Sequence, residues 1–64
     1  MKQTLLLKAK EIKLNDYICN LFGTVKEIED SGSHLVIKYE SNGYISQIQP
    51  SYEYEMKVIR EAQI

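Results

Sequence analysis

The 64 residues hold one cysteine, one histidine, one proline and no tryptophan. Each scarcity excludes something. A single cysteine cannot form an internal disulfide, and one cysteine with one histidine cannot build a structural zinc site of the usual thiolate and imidazole kind. The longest leading apolar run, Leu5-Leu6-Leu7, is too short for the core of a secretion signal and runs at once into Lys8, Lys10 and Lys13. No stretch approaches the roughly 20 apolar residues of a membrane-spanning helix. Together with a lone thiol, this leads us to expect a cytoplasmic protein with no membrane association. Glycine-rich phosphate loops, internal repeats and low-complexity tracts are also missing. A chain this short has room for one core, so residues 1–64 are expected to form a single small β-barrel domain held by aliphatic and tyrosine packing.

Charge is nearly balanced but unevenly spread. Residues 1–26 carry Lys2, Lys8, Lys10, Lys13 and Lys26 against Glu11 and Asp16, a net +3. Residues 27–64 carry Lys38, Lys57 and Arg60 against Glu27, Glu29, Asp30, Glu40, Glu53, Glu55 and Glu61, a net −4. Non-specific nucleic-acid binding draws its affinity from clustered positive charge that releases phosphate counterions, and this balance argues against it.

What is present reads as β-structure. Asn42-Gly43 separates Leu35–Tyr39 from Tyr44–Ile48 and fits a type I′ turn, whose two central residues need positive φ. Upstream, Glu29-Asp30-Ser31-Gly32-Ser33 separates Thr24–Ile28 from His34-Leu35-Val36, with Gly32 suited to a left-handed conformation. The two turns define a three-strand meander. In its middle strand Leu35, Ile37 and Tyr39 share one face and His34, Val36, Lys38 and Glu40 the other, the period of a sheet buried on one side. On the next strand Ile48 is expected inward.

Ahead of the meander, Leu5, Leu7 and Ala9 alternate with Leu6, Lys8 and Lys10 as in a strand. Asn15-Asp16 is a turn dipeptide, after which a second strand is expected to run through Leu21. Pro50 ends the strand before it, Ser51–Glu55 reads as one helical turn, and Met56–Arg60 as a final strand. Two segments also fit helices: Tyr52, Met56, Ile59 and Ala62 recur at helical spacing, as do Leu5, Ala9 and Ile12. The last four residues are expected to fray or turn helical. The favoured class is all-β, a five- to six-stranded antiparallel small barrel, because only curling protects the strand edges. The alternative is an α+β bent sheet with a C-terminal helix.

The run Ala9-Lys10-Glu11-Ile12-Lys13-Leu14-Asn15-Asp16-Tyr17-Ile18, followed by Gly23-Thr24-Val25-Lys26-Glu27-Ile28, resembles a pattern found in SH3-like small barrels, including KOW-type domains, Hint-related barrels and short phage or mobile-element proteins. The resemblance covers about residues 5–60 and implies a fold, not an activity. Asn15 stands where these barrels usually have glycine. Asparagine is the best non-glycine substitute in a left-handed turn, so positive φ is expected there. The basic glycine-rich loop of KOW-like domains and the catalytic cysteine and histidine of Hint proteases have no counterparts here.

No catalytic constellation emerges. Cys19 and His34 lack the orienting partners a nucleophile needs and the companions a metal needs. Asp16 reads as a turn-stabilising side chain, and Glu53 and Glu55 as solvated. The chain is therefore expected to be neither an enzyme nor a cofactor binder. Five tyrosines in so short a chain point to contact. Tyr44, Tyr52 and Tyr54 form the candidate partner-binding region, beside a groove that SH3-like barrels use for extended peptides. The competing reading is that these rings cap an open end of the core. Lys8, Lys10, Lys13 and Lys26 form the alternative, nucleic-acid-contacting face, against the simpler reading of a solvated edge that resists aggregation. The expected function is a small non-enzymatic protein-binding or assembly module, with homodimerisation through exposed strand edges as one form of it, and a nucleic-acid accessory role as the alternative.

Overall fold

In the computed structural model, which describes residues 1–61, alternating apolar and polar residues build six strands: β1 (Lys2–Lys8), β2 (Tyr17–Ile18), β3 (Gly23–Asp30), β4 (Leu35–Ser41), β5 (Tyr44–Ile48) and β6 (Glu55–Glu61). All pairings are antiparallel, and the strand order is β1-β6-β2-β3-β4-β5. The fold is all-β. Its ladder is open, with β1 and β5 as edges, so the expected barrel is not closed by strand pairing.

A single core forms on the open sheet all the same. One face of the sheet must bury its side chains with no helical layer over it among the described residues, and the sheet bends around them. Ile18, Val25, Ile37 and Val58 are wholly inaccessible, and Ala9, Ile12, Leu35 and Met56 join them. Fully burying each such aliphatic side chain is worth about 1.5–3 kcal/mol. The edges contribute too: Leu7 from β1 and Ile48 from β5 pack on the same core, the latter as expected.

The meander forms as the sequence indicates. Asn42 and Gly43 have φ of 53° and 84°, as type I′ requires, and Gly32 has φ of 98°. Asn15 takes the expected positive φ, 73°. A bulge interrupts β3 between Val25 and Glu27, so that Val25 faces Tyr39 and Ile28 faces Ile37 across the ladder. One extra residue, Lys26, thus keeps two apolar side chains three positions apart on the inner face, which strict alternation would separate.

Three expectations change. The first strand stops at Lys8, and Ala9–Glu11 form a 3₁₀ turn that drops Ala9 into the core. The second strand is only Tyr17–Ile18, because Cys19–Leu21 form another 3₁₀ turn rather than continuing to Leu21 as strand. After Pro50 there is no helical turn through Glu55 but a four-residue turn closed by the Tyr54 N–H donating to the Ser51 carbonyl at 3.1 Å. β6 starts at once, with Met56 and Val58 inward beside Leu7 and Leu5 of β1. This strand removes the helical reading of Tyr52, Met56 and Ile59. Of the last four residues, Glu61 belongs to β6 and 62–64, including Ala62 of that helical stripe, lie outside the described residues.

Candidate functional site

The turn after Pro50 and the 3₁₀ turn after β2 stand opposite each other and leave an open groove between them. Ile18, Leu21, Ile48, Pro50, Tyr54 and Met56 supply its apolar wall, and Asn20 and Gln49 are the polar residues that line it. Its volume is about 290 Å³. That lies at the bottom of the range for small-molecule sites, roughly 300–1,000 Å³, and suits one or two apolar side chains better than a cofactor. No Asp, Glu, His, Lys or Arg side chain lines it. Each wall has a local cause. Pro50 terminates β5 by lacking an N–H, and its carbonyl accepts from the Leu35 N–H at 3.0 Å, fastening the strand end to the start of β4. The opposite wall is fixed by Ile18 in the core and by β2 pairing with both β3 and β6.

Phe22 stands directly after the groove residue Leu21. It closes the 3₁₀ turn in the left-handed conformation, φ 51° and ψ 41°, and is 71% exposed. Positive φ is uncommon for a bulky side chain and costs on the order of 1–2 kcal/mol. Glycine would remove both the strain and the exposed ring, so folding alone does not explain this residue. The sequence carried a signal for it, the chain's single phenylalanine directly before Gly23, which periodicity does not register.

The three candidate tyrosines separate. Tyr54 lines the groove and is 57% exposed. Tyr52 packs against the core and donates its hydroxyl to Asp30 Oδ1, which also accepts the Gly32 N–H at 2.9 Å. These bonds hold the Asp30 carboxyl below its ordinary pKa, the Tyr52 bond first, and raise that of the Tyr52 phenol. Tyr52 thereby caps the core. Tyr44 is 77% exposed at the tip of the β4–β5 hairpin and does not line the groove.

The four candidate lysines do not form one free basic face. Lys8 and Lys10 both bind Glu53, at 2.9 Å each, and the hydrogen bonds from Lys10 and Lys8 lower the Glu53 pKa. Lys26 lies 3.6 Å from Glu40. Lys13 instead presents its backbone N–H to Asp16 Oδ2 at 2.8 Å.

Asp16 is the one buried charged residue among those described, 2% exposed. Arg60 grips it with both arms, Nε to Oδ1 at 2.8 Å and Nη2 to Oδ2 at 2.7 Å, and reaches the Glu11 carbonyl at 3.1 Å. The Asp16 main chain also accepts the Val25 N–H at 2.8 Å. Burial pushes this carboxyl up, but the Arg60 and Lys13 hydrogen bonds outweigh it and leave the pKa below its ordinary value. The adjoining cavity of about 420 Å³ is larger than the groove, yet Asp16 and Arg60 in its lining satisfy each other. Asp16 is thus a structural anchor, as its place beside a turn suggested. Cys19 is a half-buried free thiol, and the His34 Nδ1 contacts Ser33 Oγ at 3.0 Å. Among the described residues no three His, Cys, Asp or Glu side chains gather as a metal site would require, and no helix is long and apolar enough to cross a membrane.

Comparisons with protein-family models, with curated proteins and with solved structures match nothing.

Proposed function

We propose that this chain is a small non-enzymatic protein-binding or assembly module, working in the cytoplasm, that seats one or two apolar side chains of an extended partner segment in the groove beside Tyr54. The observation that carries this reading is the uncharged groove itself, whose lining residue Leu21 is followed in the chain by a strained, solvent-exposed Phe22. An exposed aromatic held at a conformational cost one residue along the chain from an apolar slot suits recognition, where aromatic anchors supply much of the binding energy. Short 3₁₀ turns and a proline-ended strand give the slot rigid walls, so little entropy is lost when a partner docks. The bent all-β sheet and the Asn15 turn are in keeping with an SH3-like small barrel of the kind found in phage or mobile-element proteins, and that resemblance supports the fold assignment more than the function. The lysine pairing with Glu53 and Glu40 weighs against the nucleic-acid alternative.

A peptide library screened on the immobilised chain tests the reading. Selected peptides should be apolar and extended, and their binding should shift the backbone NMR signals of Leu21, Ile48 and Tyr54. Tyr54→Ala and Phe22→Gly should each weaken binding by at least about tenfold, while Phe22→Gly leaves the thermal midpoint unchanged or raised. Shifts centred on Lys8, Lys10, Lys13 and Lys26 would contradict it. So would salt-sensitive retention of an oligothymidylate near physiological ionic strength with no selected peptide.

A further inference from the structure

We infer that β5 is a self-association edge, on which a second copy of this chain adds its own β5 antiparallel across a two-fold axis through Ser46. The inference rests on the assembly reading and names its partner.

Both edges of the open sheet are bare, but only one lacks protection. β1 carries Lys2 and Lys8 at its ends, so pairing its full length with a second β1 would put Lys2 of one copy opposite Lys8 of the other. Like charges opposed in this way resist edge-to-edge pairing. β5 reads Tyr-Ile-Ser-Gln-Ile, without a charge, a proline or a bulge. Every other strand of more than two residues carries at least two charged side chains. Tyr44 through Gln47 are all exposed, and no other described segment makes a backbone bond to β5 on its far side.

Hairpin geometry specifies the register. With a two-residue loop, Ser41 and Tyr44 form the closing hydrogen-bonded pair, and pairs alternate from there. Tyr44, Ser46 and Ile48 therefore direct their backbone groups to β4, whereas Ile45 and Gln47 direct theirs outward. Two β5 strands present the most complementary edges when Ile45 of each meets Gln47 of the other. Four main-chain hydrogen bonds form, Ser46 faces Ser46 on the axis, and Tyr44 of each copy lies opposite Ile48 of the other. Ile48 lines the apolar groove, so this register carries an exposed aromatic to the groove's edge. The interface is isologous and closes at two copies. Five residues per side bury less than a stable dimer usually does, so the association should be weak and concentration-dependent.

Sedimentation of the full chain from about 10 μM to about 1 mM should record a monomer–dimer equilibrium in that range. Ser46→Lys should abolish the dimer by opposing two ammonium groups on the axis, with circular dichroism unchanged because Ser46 is exposed. Ser46→Cys should oxidise to a disulfide between residues 46 of two copies, located by peptide mapping, since paired non-hydrogen-bonded positions lie about 4.5 Å apart at Cα. Gln47→Cys should not. A monomer throughout the range overturns the inference. So does a dimer that survives Ser46→Lys with no 46–46 disulfide, which would assign association to another surface; the groove reading falls separately, on the Tyr54 and Phe22 variants.

Discussion

Asp16 and Arg60 are the side chains on which most of the molecule converges. One carboxylate ties the turn after the first 3₁₀ segment, through the Lys13 amide, to the last strand, through Arg60, and its main chain fastens β3. Removing one partner of such a pair leaves the other charge poorly compensated. Asp16→Asn should therefore cost about 2–3 kcal/mol at pH 7 by chemical denaturation, less than for a wholly buried pair because Arg60 retains contact with water. Because the folded pKa of Asp16 lies below its unfolded value of about 3.9, its contribution is complete above that value and disappears as pH falls through the folded pKa. The loss of stability on acidification below about pH 4 should accordingly be shallower in Asp16→Asn than in the parent. Part of this was legible in sequence. Asn-Asp announced a turn and positive φ at Asn15, and Asp16 read as its stabiliser. Arg60 was not legible as the partner, because only the insertion of β6 between β1 and β2 brings residues 44 positions apart together. Glu53 was hidden for the same reason, and with it the pairing of Lys8 and Lys10 to one carboxylate.

Among the elements, β3 and β4 show how little room separates a strand from its neighbour. Gly23 opens β3 in close contact with Tyr39: a Cβ added there would lie 2.4 Å from the Tyr39 ring and 3.0 Å from the Glu40 carbonyl oxygen. Gly23→Ala should displace the Tyr39 ring and cost about 1–3 kcal/mol by thermal or chemical denaturation, although its φ imposes no demand for glycine. An unchanged stability would mean that Tyr39 moves freely. The meander was readable because local chemistry specifies it: Gly32 and Asn42-Gly43 supply turns, and Leu35 and Ile37 supply the inner face. The flanking segments were ambiguous because Leu5, Ala9 and Ile12 satisfy helical spacing while serving a strand, a 3₁₀ turn and the loop that follows. The bulge at Lys26 had a trace in the three-residue spacing of Val25 and Ile28, which fits neither alternation nor a helix this short.

At the scale of the whole molecule, one six-stranded sheet curls around a core to which every strand contributes, and its stability, like that of any fold this small, leaves little margin. Two surfaces stay uncommitted on that sheet: the groove beside Tyr54 and the outer edge of β5. They share Ile48, which packs on the core, lines the groove and ends the edge strand. This side of the open sheet is where partners are proposed to meet the protein. Amide hydrogen exchange followed by NMR against protein concentration tests it most directly. The amides of Ile45 and Gln47 should exchange quickly in dilute solution, as those of an open edge do, while Ser46 and Ile48 are protected by β4. Protection at Ile45 and Gln47 should then rise with concentration, with no change around Lys8 and Lys10. Firm protection of Ile45 and Gln47 at every dilution would contradict the account, because the edge would then be closed within a single chain.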